Sequence, residues 1–198
     1  VVPLDKPETQ AAIRKHSPSG RVPVLLHRGL AVWDSLAIAE YLNDLKPEAG
    51  LWPPSAAARA HARSISAEMH SSFGALRRHC SMTCGQRVVL RERPRDLQAD
   101  LARLQTLWTM GLTRFGGPFL AGAAFTAVDA FYAPVAFRLQ TYGILLDERC
   151  DAYAETLRAL PAMREWYAAA LTEPWRERAH EESITAVAAS ITDLRTTN

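Results

Sequence analysis

Two short stretches near the start of the chain combine residue types whose spacing suits ligand chemistry. Val22-Pro23 places a proline after a β-branched residue, at the front of an apolar run and behind the loop Ser17-Pro18-Ser19-Gly20. A cis Val-Pro bond there would turn the Val22 backbone outward. Its N–H and C=O would then be free to pair with an extended peptide. A trans proline at the start of a strand is the plainer alternative. About a dozen residues later, Asp34-Ser35 stands where a strand hands over to a helix. Free N–H groups and the positive dipole end of a helix N-terminus attract a carboxylate, and the Ser35 hydroxyl can add a hydrogen bond. The Asp34 carboxylate suits an ammonium. The two side chains therefore match the zwitterionic end of an amino acid, although either residue alone also reads as an ordinary helix cap.

The elements that must hold these residues follow from local pattern. Val1 to Leu4 reads as the end of a strand, and Pro7 to His16 as a short helix with Pro7 in its first turn. Val22 to His27 and Leu30 to Trp33 are β-rich runs around the turn Arg28-Gly29, the signature of a hairpin. From Ser35, the positions Leu36, Ile38, Ala39, Tyr41, Leu42 and Leu45 recur at helical spacing until Pro47. Residues 1–46 thus form part of a small α/β layer, and residues 47–55, rich in proline, form a linker. Residues 56–198 read as all helical. One long helix is expected from Ala56 to about Cys80 and a second from Pro94 to about Phe115. A third runs from Thr126 to about Thr141, broken in line by Pro134, which is expected to kink it. Shorter helices follow at Ala152 to Leu157 and Pro161 to Leu171, with a last helix or frayed tail from Trp175 to Leu194. The stretch Arg87 to Arg95 reads as a solvated connection.

Composition narrows the function classes. The 198 residues are 48% hydrophobic and 22% charged, with a net charge of +2. That balance, without a basic stripe interleaved with aromatics, argues against a nucleic-acid partner. No apolar run approaches the roughly 20 residues of a membrane span. Three cysteines, Cys80, Cys84 and Cys150, are an odd number without framework spacing and suit a reducing cytoplasm. His70, His79, Cys80 and Cys84 include metal-ligating types but lack the convergent spacing of a zinc site, so no metal is expected. Glu68, His70 and Ser71 are too close in sequence to face one another on a helix as a triad.

Taken together, Ser17-Pro18-Ser19-Gly20-Arg21-Val22-Pro23-Val24-Leu25, a hairpin, and Asp34-Ser35-Leu36-Ala37-Ile38-Ala39-Glu40-Tyr41-Leu42 resemble the glutathione site of the glutathione S-transferase superfamily. The resemblance extends over nearly the whole chain. Phe125-Thr126-Ala127-Val128-Asp129-Ala130 is similar to the capping box that opens a buried helix of the family's C-terminal domain. It implies an α/β thioredoxin-like N-terminal domain, truncated here, followed by an all-α C-terminal helical domain. By that resemblance Val22, before Pro23, pairs through its backbone with the cysteinyl part of glutathione. Asp34 and Ser35 hold the γ-glutamyl end, and Arg21 reaches the glycine carboxylate. Asp34 departs from the Glu or Gln more usual there.

The resemblance also implies glutathione as co-substrate, a small electrophile as second substrate, and a homodimer. The implied reaction is addition of the glutathione thiolate or a glutathione-dependent isomerisation. The nearest likeness is to bacterial members, with some similarity to the zeta, maleylacetoacetate isomerase-type branch. In the family the catalytic Ser, Cys or Tyr sits at the first strand–helix junction, which is expected ahead of Val1. His70, Phe73 and Arg77 are candidates for the electrophile pocket, with core packing the alternative for Phe73. A non-catalytic interaction module of the same fold, as in stringent-starvation relatives, is the rival expectation.

Overall fold

The computed structural model describes residues 6–196, so the strand expected at Val1 to Leu4 lies outside the described residues. Helix α1 (Thr9–Arg14) is followed by the strands β1 (Val24–His27) and β2 (Leu30–Trp33) and by helix α2 (Ser35–Leu45). The hairpin is antiparallel, with Val24 opposite Trp33 and His27 opposite Leu30. Arg28 and Gly29 both take positive φ in its two-residue turn, the backbone that matches strand twist in a tight hairpin. His27 Nδ1 lies 2.8 Å from the Tyr41 hydroxyl, pinning β1 to α2. A 3-10 turn at Pro47–Ala49 ends the segment, and Trp52 is buried at the start of the helical part.

The helical part comprises α3 (Ala56–Ser71), α4 (Gly74–His79), α5 (Arg95–Phe115), α6 (Ala127–Thr141), α7 (Glu148–Ala159), α8 (Pro161–Thr172) and α9 (Arg178–Val187). Its core gathers around α6. Trp108 meets the rings of Tyr132 and Tyr153 edge-on, at centroid distances of 5.8 and 4.8 Å, a geometry that adds about 0.5–1.5 kcal/mol per pair beyond simple burial. The Tyr132 hydroxyl donates to the Ile65 carbonyl at 2.9 Å, tying α6 to α3. The capping box at the start of α6 closes as expected, and the fully buried Asp129 does more than cap. It accepts from the Thr126 N–H at 2.9 Å, the Leu120 N–H at 3.0 Å and the Tyr153 hydroxyl at 2.9 Å. Gly111 allows the loop to come this close to α5, because a Cβ there would stand 2.5 Å from the Leu120 carbonyl oxygen. Helix α6 continues through Pro134.

Three expectations are corrected. The helix from Ala56 does not reach Cys80; it stops at Ser71 and restarts at Gly74. Phe73 between them takes φ 61 and drives its ring into the core, at 3% exposure. The broken end is satisfied by side chains: Arg77 donates to the carbonyls of Met69 and Ser72, and Asp100 of α5 accepts from the Leu76 N–H at 2.8 Å. The stretch after Arg87 is not a solvated connection, because β3 (Gln86–Leu90) pairs antiparallel with β4 (Ala188–Asp193), Gln86 opposite Asp193. The tail is therefore half helix and half strand. Gly85 makes room for the return of the chain, since a Cβ there would collide with the Arg195 side chain.

Candidate functional site

Loop, hairpin and helix converge on one open cleft of about 580 Å³, lined by Ser19, Arg21, Val22, Pro23, Trp33, Asp34, Ser35 and His70. The loop is braced from within. The buried Ser17 hydroxyl donates to the Arg21 carbonyl at 2.6 Å and lies 3.0 Å from Ser19 Oγ, which accepts from the Arg21 N–H at 3.2 Å. Gly20 takes φ 67 in this turn, a backbone that glycine adopts without cost. The Val22-Pro23 bond is cis. Val22 lies ahead of the β1–β2 ladder, is 59% exposed and forms no backbone hydrogen bond among the described residues.

Asp34 has φ 76 and ψ 133, a backbone that L-residues rarely adopt, and such outliers cluster at functional sites. Its Oδ1 accepts from the Leu36 N–H at 2.9 Å and so caps α2. Its Oδ2 faces the cleft and stands 2.9 Å from His70 Nε2. Ser35 is the first residue of α2, and its hydroxyl forms no hydrogen bond among the described residues. The cleft therefore brings together a peptide unit unpaired among the described residues, a helix start and a carboxylate.

Of the residues singled out in the sequence, the structure brings Arg21, Val22, Pro23, Asp34, Ser35 and His70 together. It does not bring Phe73 or Arg77 with them. Phe73 is core, and Arg77 is spent on the carbonyls at the end of α3. Ser19 and Trp33 also line the cleft: Ser19 belongs to the loop that braces Arg21, and Trp33, 47% exposed, ends β2, where residue type alone signals only a strand end. Burial pushes the three thiols up, Cys80 to about 12 and Cys84 and Cys150 to about 11, so none carries an appreciable thiolate at neutral pH. Among the described residues no group of three or more metal-ligating side chains converges, and no helix is long and apolar enough to cross a membrane.

Comparisons with known proteins agree with this architecture. Residues 1–45 match the family model of the glutathione S-transferase N-terminal domain, and residues 56–169 that of the glutathione S-transferase C-terminal domain. The chain belongs to the glutathione S-transferase family, with its thioredoxin-like N-terminal unit and helical C-terminal domain. It is 37% identical over 65 residues to a probable maleylacetoacetate isomerase of Caenorhabditis elegans, covering 33% of this chain and 30% of that one. It is 25% identical over 129 residues to a stringent starvation protein A homolog of Pasteurella multocida, covering 65% and 57%. The chain thus spans less than two thirds of the length of these relatives. A Burkholderia glutathione transferase homolog with bound glutathione superposes with a TM-score of 0.58 at 23% identity, over 81% of this chain and 76% of that one.

Proposed function

We propose that the cleft holds glutathione and that the chain acts as a glutathione transferase-like enzyme. In this reading the γ-glutamyl carboxylate sits at the start of α2 against the Ser35 hydroxyl, and its ammonium lies on Asp34. The cysteinyl part pairs with the Val22 backbone beside Pro23, and the glycine carboxylate faces Arg21. The observation that carries the reading is the convergence of an unpaired Val22 peptide, a helix N-terminus and an acidic side chain on one extended cleft. An extended tripeptide with a zwitterionic end needs those groups in that order. The bound thiolate would attack the carbon of a small electrophile, forming a sulfur–carbon bond as the leaving group departs, or would add and leave again in an isomerisation. No side chain among the described residues is assigned to the sulfur. A homodimer and a cytoplasmic setting belong to the same proposal.

Binding is tested by retention on immobilised glutathione and by titration calorimetry of the full chain. The double variant Asp34→Ala, Ser35→Ala is expected to lose both. Unchanged retention would sink the assignment. The match to a stringent starvation protein A homolog favours a second reading, a non-catalytic interaction module. A chain that neither binds glutathione nor turns over 1-chloro-2,4-dinitrobenzene would favour it.

A further inference from the structure

The Asp34–His70 contact joins the two parts of the molecule across the cleft, and the site as assigned does not use it. Asp34 Oδ1 is committed to the Leu36 N–H, so Oδ2 is the oxygen left for a ligand, and His70 Nε2 already stands on it at 2.9 Å. Resting on the assignment of the cleft to glutathione, we propose that protonation of His70 regulates binding at that site. Its imidazole occupies the place of the γ-glutamyl ammonium, so a proton on His70 and the ligand's ammonium compete for one carboxylate.

The surroundings leave that competition uncompensated. Asp34 is the one carboxylate lining the cleft among the described residues, and the other charge facing it is the Arg21 cation on the hairpin side. On α3, Glu68 is taken by Arg103 of α5 at 2.6 and 2.9 Å, and Arg63 by Glu40 of α2 at 2.7 and 2.6 Å. On α4, Arg77 is turned to the Met69 carbonyl. Among the described residues no second acid is therefore placed to take the ammonium when His70 is charged. Both partners are partly exposed, 38% for His70 and 43% for Asp34, and an exposed pair parts easily. A neutral imidazole can give up Oδ2 to a cation or share it. An imidazolium holds the carboxylate as an ion pair and repels a second cation.

Because the ligand prefers the neutral imidazole, affinity falls as His70 takes up a proton, by no more than about fivefold for so exposed a pair, and binding releases that proton.

The test uses the full chain and S-methylglutathione, which has no titrating thiol. Calorimetry from pH 5.5 to 8, in two buffers of different ionisation enthalpy, reads Kd and protons released. The wild type is expected to weaken toward pH 5.5 with net proton release. His70→Gln, which keeps an N–H donor but does not titrate, is expected to bind with a flat profile and to exceed the wild type at pH 5.5. A wild type with pH-independent affinity, or a His70→Gln variant with the wild-type slope or weaker binding at every pH, overturns the role given to His70 while leaving the glutathione site standing. Failure of both proteins to bind at pH 8 overturns the site itself, and the role of His70 with it.

Discussion

Replacing Asp34 by glycine and by alanine separates backbone strain from ligand chemistry. With φ 76 and ψ 133, Asp34 holds a Cβ in a region that costs an L-residue about 1–3 kcal/mol. Alanine keeps that strain and loses the cap on the Leu36 N–H, a loss of about 1 kcal/mol. Glycine removes the strain, caps almost as well, and gives back about 0.5–1 kcal/mol through the freedom of its unfolded chain. The contact to His70 is lost in both and is exposed, so it cancels in the comparison. Asp34→Gly should therefore be more stable than Asp34→Ala by about 1–3 kcal/mol. For a chain of this size that is a difference of roughly 2–12 °C in Tm. Thermal melts and urea titrations of the two variants read the difference directly. Both variants lose the carboxylate and should fail to bind glutathione, whereas Asp34→Asn keeps a cap acceptor and near-native stability without the charge. An alanine variant as stable as the glycine variant, or more so, would refute the strain argument.

Three further outcomes follow from contacts elsewhere. Asp129→Ala leaves the Thr126 and Leu120 N–H groups and the Tyr153 hydroxyl without their buried acceptor. It should cost about 3–5 kcal/mol in urea titration, and a loss under about 1 kcal/mol would contradict the role given to the carboxylate. Hydrogen bonds from Arg195 hold the Asp193 carboxyl down at about 2. A depressed carboxyl stabilises above its ordinary value near 4, and that contribution is lost as pH falls to about 2. The Arg195 side chain is mostly buried but Asp193 is 45% exposed, so solvent screens the contact; Asp193→Asn should cost no more than about 1 kcal/mol at neutral pH, and its stability should converge with the wild type near pH 2. The bidentate Glu40–Arg63 bridge between α2 and α3 is about two-fifths exposed on each side. A double-mutant cycle should give a coupling of about 0.5–1 kcal/mol that shrinks in 1 M salt; a coupling indifferent to salt would point to packing instead.

The parts of the molecule legible in the sequence are those closed by near neighbours. The hairpin from Val24 to Trp33, the start of α2 at Asp34-Ser35 and the capping box of Thr126 and Asp129 depend on residues a few positions apart, so residue type and spacing specify them. The same is true of the loop from Ser17 to Arg21, whose hydroxyls bond within four residues. What stayed hidden depends on the chain returning from far away. Strand β3 exists because Ala188–Asp193 comes back to pair with it. The restart of α4 is held by Asp100, 24 residues beyond Leu76. Phe73 and Arg77 carry the residue types of a pocket, yet packing turns one into core and the other into a clamp on α3. His70 and Asp34, 36 positions apart, could be named separately from the sequence. Only the packing of α3 beside the start of α2 brings them to 2.9 Å, because a side-chain pair across a cleft is fixed by tertiary contacts and not by local spacing.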